Sequence, residues 1–143
     1  MRTIIITLLL QLALLSVGKV QAQNLTIKVA NIESSDGQLI ISFYKNEKQF
    51  PEHPFKTLNI EKKNTLTSTI KTTLPEGKYA IVVLDDCNQN NEMDYRFTVI
   101  PKEAIGFSNN VKIEGLKSPS FDRCAFHIDY IDPKLIEIDL IRF

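Results

Sequence analysis

The sequence predicts an all-β protein, a single antiparallel β-sandwich of about seven to eight strands. Two observations support this class. Short runs of alternating apolar residues recur between turn-forming residues after residue 22, and no stretch of residues 23–143 keeps a helical period over three or four turns. Short strands separated by regularly spaced turns are typical of sandwiches and small barrels.

The N-terminal segment has the organisation of a secretory signal peptide. Arg2 gives a positive start, residues 4–17 are apolar, and residues 19–22 contain the small residues that a signal peptidase recognises. The apolar run is shorter than the ~20 residues that a membrane-spanning helix needs. We therefore expect residues 1–22 to be cleaved, and residues 23–143 to form one secreted or periplasmic domain with no transmembrane segment.

Charge and cysteine content narrow the range of partners. The chain has 17 basic and 17 acidic residues, and loss of Arg2 and Lys19 with the signal peptide leaves 15 basic against 17 acidic. This balance gives no electrostatic reason to expect nucleic acid as a partner. An oxidising compartment permits a disulfide between Cys87 and Cys124, and the alternative is two separate thiols.

The first two strands are predicted at residues 25–30 and 39–44. Apolar residues alternate with polar ones over 25–30, which is the period-2 pattern of a half-buried strand. A turn with a late glycine follows at 34–37, and the apolar pattern resumes at 39–44. Residues 25–44 therefore predict a β-hairpin.

The middle of the chain predicts an irregular crossover followed by a buried central strand. Residues 45–55 are polar and contain two prolines, whereas 57–60 and 65–72 are rich in β-branched residues and predict short strands. Residues 79–84 are apolar at successive positions. Such a run suits a central strand that is covered on both faces.

The last part of the chain predicts a long loop and the closing strands. Residues 85–110 contain many Asp and Asn residues, and a loop of this length in a compact domain is usually functional. Closing strands are predicted at 111–113, 121–130 and 135–143.

The Asp/Asn-rich loop carries the densest cluster of oxygen-bearing side chains. Counted from its first ligand, oxygen donors fall at positions 1, 3, 5 and 9, and position 7 offers a backbone carbonyl, as in an EF-hand calcium loop. Alternate residues of a curled loop point inward, where oxygens can replace the hydration shell of Ca²⁺. The candidate metal ligands are Asp86, Asn88, Asn90, Glu92 and Asp94.

The same loop departs from an EF-hand and leaves two interpretations open. Position 12 is Phe97 instead of the bidentate Glu, and no helical pattern flanks the loop. Asn91 occupies the position that usually holds glycine, and Asn is the next best residue for the left-handed turn expected there. The loop is therefore either a calcium site embedded in a β-fold, with Asp85 or Glu103 as further carboxylates, or a turn network whose Asn and Asp side chains bond their own backbone.

Three functional hypotheses follow from these residues. The leading hypothesis is an exported, non-catalytic module, calcium-stabilised, that binds a protein, glycan or cell-envelope partner, because no Ser-His-Asp, Gly-rich phosphate or His-Glu-x-x-His arrangement is present. The second is a metal-dependent hydrolase that uses Asp85, Asp86 and Asp94. The third is a small outer-membrane β-barrel, against which the short strands and the absence of Trp argue.

Three sequence blocks resemble the bacterial family of exported proteins called domain of unknown function 2141. They are Leu-Pro-Glu-Gly-Lys-Tyr-Ala at 74–80, Asp-x-Asn-x-Asn-x-x-x-Asp at 86–94 and Ile-Pro-Lys-Glu-Ala-Ile-Gly-Phe-Ser-Asn-Asn at 100–110. The resemblance implies a transthyretin-like or immunoglobulin-like Greek-key sandwich outside the cytoplasm, and it implies no reaction. It also implies a block packed beside the loop, which we take as a candidate binding surface: Gly106, Phe107, Ser108, Asn109 and Asn110.

Overall fold

The computed structural model describes residues 24–62, 66–115 and 117–143. The predicted signal peptide lies outside these residues. The strands found within them are β1 (Leu25–Ala30), β2 (Gln38–Tyr44), β3 (Lys56–Glu61), β4 (Ser68–Thr72), β5 (Gly77–Asp86), β6 (Tyr95–Arg96), β7 (Ile100–Pro101), β8 (Ile105–Phe107), β9 (Phe126–Ile128) and β10 (Lys134–Asp139). A 3₁₀ turn spans Ser108–Asn110, and one helix, α1, spans Phe121–Cys124.

The strands form two sheets that pack on one another, which confirms the predicted all-β sandwich. The smaller sheet has the order β10-β1-β4, in which β1 runs parallel to β10 and antiparallel to β4. The larger sheet has the order β3-β2-β5-β8, and β9 adds to the first residues of β5. Strands β6 and β7 form a separate small hairpin.

The main core lies between the two sheets and is built from alternate residues of each strand. β1 contributes Leu25, Ile27 and Val29, which are at most 1% exposed, while the residues between them face outward. The facing positions of the larger sheet include Ile41 on β2 and Ile81 on β5. The period-2 pattern therefore predicted correctly which face of β1 is buried.

The larger sheet is also covered on its outer face, which confirms β5 as a central strand buried on both sides. Ala80 and Val82 of β5 belong to a second apolar cluster with four aromatic rings, those of Tyr44, Phe50, Phe107 and Phe121. The Phe50 ring meets the Phe121 ring edge-on, with 6.1 Å between their centroids. Such edge-to-face pairs stabilise a cluster beyond the effect of burial alone.

The predicted hairpin over residues 25–44 is wrong. β1 pairs with β4 and β10, whereas β2 pairs with β3 and β5 in the other sheet. The turn itself is present, and Gly37 has the positive φ of 81° that this turn needs. Alternation specifies the buried face of a strand and leaves its partner open, so the chain can cross between sheets at this turn.

Three predictions for the second half of the chain need correction. No strand forms at 111–113, residues 121–130 contain the helix α1 before the three-residue strand β9, and the last strand ends at Asp139. In α1, Phe121 and Cys124 are three residues apart and are both buried, so one helical turn places them on the same face. A single turn is too short to give a helical period.

The predicted loop at 85–110 is shorter and better ordered than expected. β5 extends to Asp86, and β8 returns to pair with β5 at Val82–Leu84. A Cβ at Gly106 would lie 2.6 Å from Cγ2 of Ile138, so β8 approaches β10 closely because this residue is glycine. The candidate site is thereby reduced to residues 86–103, which are anchored at both ends by strands.

Candidate functional site

Asp86 lies at the centre of the Asp/Asn-rich loop. It is the last residue of β5 and its side chain has no exposed surface. One carboxylate oxygen accepts the Asn90 N–H at 3.2 Å, and the other accepts the Asn91 N–H at 3.0 Å and the Gln38 Nε2–H at 2.9 Å. The backbone of residues 86–91 therefore curls around this carboxylate.

The next oxygen-bearing side chains continue the curl as successive Asx-turns. Asn88 Oδ1 accepts the Asn90 N–H at 3.1 Å, and Asn90 Oδ1 accepts the Glu92 N–H at 2.9 Å. The Asn88 amide then donates to Asp94 Oδ2 at 2.8 Å. Asn91 has a φ of 64°, which confirms the predicted left-handed conformation at this position.

Glu103 bridges the two ends of the loop. Its side chain is buried, and its two carboxylate oxygens accept the N–H groups of Cys87 at 3.2 Å and Asp94 at 3.3 Å. Burial raises the pKa of Glu103, the two amides lower it, and the negative charges of Asp86 and Asp94 raise it further. The Glu103 carboxylate thus joins the two ends of the loop, and it lies near the negative charges of two candidate ligands, Asp86 and Asp94.

Side chains from the neighbouring strands also support the loop. Gln38 on β2 donates to Asp86 and also to Asn91 Oδ1 at 2.9 Å, and Asn59 on β3 donates to the same Asn91 oxygen at 3.0 Å. Sequence reasoning missed Gln38 and Asn59. Only the strand register, which places Gln38 opposite Asp86, brings them to the loop.

The chemistry of this donor set fits a hard cation. Asp86, Asn88, Asn90 and Asp94 all offer oxygen, and an oxygen that accepts one N–H retains a second lone pair. Their hydrogen bonds join them into one loop. Within the described parts of the chain, however, no group of three or more His, Cys, Asp or Glu side chains is placed to hold a metal ion.

Asp85, a member of the hydrolase hypothesis, is engaged in a buried ion pair. Its Oδ1 lies 2.6 Å from Lys62 Nζ, and the two side chains are 3% and 1% exposed. The Cys87 thiol lies 3.6 Å from both the Lys62 ammonium and the Asp85 oxygen. Since a buried charge that loses its partner is costly, this carboxylate serves first to neutralise Lys62.

The disulfide predicted between Cys87 and Cys124 does not form, because both are free cysteines. The Ser108 hydroxyl donates to the Cys124 carbonyl at 2.6 Å and accepts the Ile81 N–H at 2.9 Å, so Cys124 lies beside Ile81. Cys87 follows the far end of β5, about 20 Å away at ~3.3 Å per residue. A disulfide needs its Cα atoms within about 7 Å.

The block at 106–110 packs into the framework beside β5. Ser108 is fully buried, and the Asn109 amide donates to the carbonyls of Arg123 and Ala125 at 3.1 and 3.0 Å. Asn110 Oδ1 accepts the Asp139 N–H at 2.8 Å. These bonds tie α1 and β10 to β8, and Phe107 also lines an open cleft on the outer face of the larger sheet.

This cleft, which we call the outer cleft, lies on the outer face of the larger sheet and has a volume of about 450 Å³. Side chains of β2, β5 and β8 form its floor, the segment 51–54 forms one wall, and the end of the Asp/Asn loop forms the other wall. Volumes of about 300–1,000 Å³ are typical of ligand sites. The residues of the loop wall are Asn91, Met93 and Tyr95.

No helix in the described residues is long and apolar enough to cross a membrane. In a comparison with known proteins, the model of a family described as an uncharacterized protein conserved in bacteria, DUF2141, matches residues 27–134. No curated protein and no solved structure matches the chain. The family match covers more than half of the sequence, including the Asp/Asn loop and the block at 106–110.

Proposed function

Because the chain belongs to the DUF2141 family of uncharacterized proteins conserved in bacteria, as its motifs predicted, we propose a function from its own residues. The protein is a non-catalytic, exported β-sandwich module that is secreted or periplasmic. It binds a protein or glycan of the cell envelope, and Ca²⁺ bound in the Asp/Asn loop stabilises the binding surface.

The observation that carries this proposal is the shared position of the Asp/Asn loop and the outer cleft. Asn91 accepts hydrogen bonds from two strands at one side of the loop and also lines the cleft. Met93 and Tyr95 continue the same wall. Whatever orders the loop therefore also fixes the shape of a cleft large enough for a ligand.

The proposal of Ca²⁺ rests on charge as well as on oxygen donors. Burial raises the pKa of Glu103, and the nearby negative charges of Asp86 and Asp94 raise it further. A divalent cation would offset this repulsion at the point where the loop closes, and Asp86, Asn88, Asn90, Asp94 and the Glu92 carbonyl would hold it. Calcium would supply no chemistry beyond order and positive charge.

A non-catalytic role is supported by the engagement of the reactive side chains near the loop. Asp85 is paired with Lys62, and Ser108 is hydrogen-bonded to backbone groups inside the protein. His127 pairs with Lys78 near the start of β5, whereas the loop follows its end, about 25 Å away at ~3.3 Å per residue. Ser108 and His127 therefore lie away from the loop.

The test of this proposal is a thermal melt with excess Ca²⁺ and with a chelator. We compare the wild type with Asp94→Asn in the loop and with Asp129→Asn, which changes a similar Asx-turn elsewhere, where Asp129 accepts the N–H groups of Ile131 and Asp132. A ligand at a hundredfold excess over its dissociation constant stabilises the folded state by about 2.7 kcal/mol. We expect Ca²⁺ to raise the Tm of the wild type and of Asp129→Asn, with little effect on Asp94→Asn.

Two further outcomes decide between the parts of the proposal. A wild-type melt that does not respond to Ca²⁺ or chelator would make the loop a hydrogen-bonded turn and remove calcium from the function. Export and the partner are tested on protein produced with residues 1–22 in place. For the partner, envelope fractions are passed over this protein with Ca²⁺ and with chelator. Recovery of the protein in the cytoplasmic fraction alone would contradict export.

A further inference from the structure

The tip of the β6–β7 hairpin, Arg96–Val99, presents an aromatic ring from a strained turn. Phe97 and Thr98 both have positive φ, 49° and 64°, and the Val99 N–H closes the turn on the Arg96 carbonyl at 3.3 Å. Asn and Gly usually occupy these positions, whereas bulky and β-branched residues rarely do. The Phe97 side chain is 87% exposed. The turn thus adopts an unfavourable backbone conformation that holds the phenylalanine side chain in solvent.

The hairpin tip is well suited to being covered by another surface. The Thr98 hydroxyl donates to the Phe97 carbonyl at 2.6 Å, and the Arg96 carbonyl is already bonded within the turn. Covering the tip would therefore leave few polar groups without a partner. Tyr95 and Val99, about half exposed, extend the apolar surface on both sides of the ring. Contiguous apolar surface of this kind marks interaction sites.

The outer cleft lies directly beside the hairpin tip. Tyr95 connects the cleft to the tip, since it lines the cleft and starts the hairpin two residues before Phe97. The floor of the cleft is largely apolar, with Ile40, Leu84 and Ile105 among its residues. One face of the molecule therefore carries both an apolar projection and a recess that has an apolar floor and partly polar walls. Self-complementary patches of this kind are what a two-fold dimer uses.

Charge distinguishes a second copy of the chain from other occupants. Of the residues that line the cleft, Glu52 is the one that is charged at neutral pH, and it is exposed. Arg96 flanks the projecting ring and donates one bond to the Phe143 carbonyl at 3.1 Å. Among the described residues, neither Glu52 nor Arg96 takes part in an ion pair. An anionic lipid surface would be repelled by Glu52, whereas a second copy brings Arg96 to it.

We propose that two copies associate about a two-fold axis, with Phe97 of each copy seated in the outer cleft of the other and Arg96 facing Glu52 across the interface. This names one partner for the face used in the proposed function, and it does not depend on calcium. A buried aromatic side chain covers roughly 150–250 Å². Two such rings with their neighbours fall below the ~1,600 Å² of a standard interface, so we expect a weak, micromolar dimer.

Sedimentation equilibrium of the exported protein, over a micromolar concentration series in chelator, tests the inference. Phe97→Ser is compared with the matched control Ile131→Ser, which removes an apolar side chain that is 94% exposed in the loop before β10. We expect the wild type and Ile131→Ser to dimerise with the same Kd, and Phe97→Ser to weaken the dimer by at least about tenfold. Circular dichroism verifies that each variant is folded.

A charge exchange tests the orientation. Glu52→Lys and Arg96→Glu should each weaken the dimer severalfold, and the double variant should recover most of the affinity, because the pair is restored with its signs reversed. A double variant as weak as the single ones would overturn the proposed arrangement.

Two other results would overturn the inference outright. One is a monomer throughout the concentration series, and the other is a dimer that Phe97→Ser leaves unchanged. Pelleting of monomeric protein with phosphatidylglycerol vesicles, lost in Phe97→Ser, would instead assign the tip to a lipid surface. The calcium melt tests the Asp/Asn loop, whereas the dimer is tested at the hairpin tip. Failure of the dimer and failure of the calcium proposal are therefore distinguishable.

Discussion

The Asp/Asn loop and the hairpin tip follow one another in the chain, and both place non-glycine residues in the left-handed region. In the loop these are Gln89 and Asn91, with φ of 59° and 64°, and in the tip they are Phe97 and Thr98, with φ of 49° and 64°. The loop residues are surrounded by hydrogen bonds to Asp86 and its neighbours. The tip is closed by one backbone bond and exposes its largest side chain.

The difference shows that similar backbone strain can have two origins. In the loop the unfavourable conformation is offset by bonds inside the molecule, so the loop contributes to stability. At the tip the bonds inside the turn are few, so the strain is not offset within one copy. We therefore expect substitutions in the loop to destabilise the protein, and substitutions that relax the tip to stabilise it.

The largest effect is expected from Asp86→Ala. The substitution removes a buried carboxylate that accepts three hydrogen bonds, and it leaves the amide of Asn91 without its acceptor and the amide of Asn90 with Asn88 Oδ1 alone. The free energy of unfolding, measured with urea in the presence of chelator, should fall by about 2–4 kcal/mol. Asp86→Asn, which keeps one acceptor oxygen, should lose less. Equal losses for the two variants would show that the acceptors are not what holds the loop.

A smaller loss is expected from Asn90→Ala. Its side-chain oxygen accepts the Glu92 N–H at 2.9 Å in an exposed part of the loop, where water can replace the bond. The free energy of unfolding should therefore fall by about 0.5–1.5 kcal/mol. Asn109→Ala would serve as a comparison, because that amide bonds two backbone carbonyls far from the loop. If Asn90→Ala lowered the free energy of unfolding as much as Asp86→Ala, the loop would unfold as one unit.

The opposite sign is expected at the tip. Thr98→Gly places glycine at a φ of 64°, where a β-branched residue is strained. The free energy of unfolding should rise by about 0.5 kcal/mol, since relief of strain exceeds the entropy that glycine adds to the unfolded chain. Thr69→Gly, on the exposed face of β4, is the control and should lower it. If both variants were destabilised, relaxing the tip would not stabilise the protein, and the proposed difference between loop and tip would be wrong.

The smallest perturbation is thiol labelling, which changes no residue. Burial raises the pKa of Cys124 to about 11, so its thiol is protonated and shielded at neutral pH, whereas Cys87 is exposed at the start of the loop. Iodoacetamide should modify Cys87 in the folded protein and Cys124 only through unfolding, with mass spectrometry as the readout. Equal rates for the two thiols would contradict the burial of Cys124 in the second cluster.

The sequence predicted burial well and pairing poorly. Alternation identified the inward face of β1 and the two-sided burial of β5, because both follow from the local period of apolar residues. It could not show that β1 lies beside β10 instead of β2, since many registers satisfy the same pattern. The separation of Cys87 from Cys124 depends on another long-range pairing, that of β9 with the start of β5.

The candidate loop was found in sequence, whereas much of its support was not. Asp86, Asn88 and Asn90 stand out by their spacing, and Asx-turns are local interactions that spacing can reveal. Gln38 lies on β2 and Lys62 directly follows β3, and nothing in their own neighbourhood marks them as partners of Asp86 and Asp85. Such contacts follow from the register of β2 on β5, which only the fold supplies.

The parallel pairing of β1 with β10 sets the order in which this protein can fold. Lys28 meets Glu137 across a separation of 109 residues, so the smaller sheet is completed only after β10 has been synthesised. Contacts of such high contact order form slowly, because a long loop must close before they contribute. A chain still emerging from the ribosome therefore keeps β1 without one neighbour until β10 is free to pair with it.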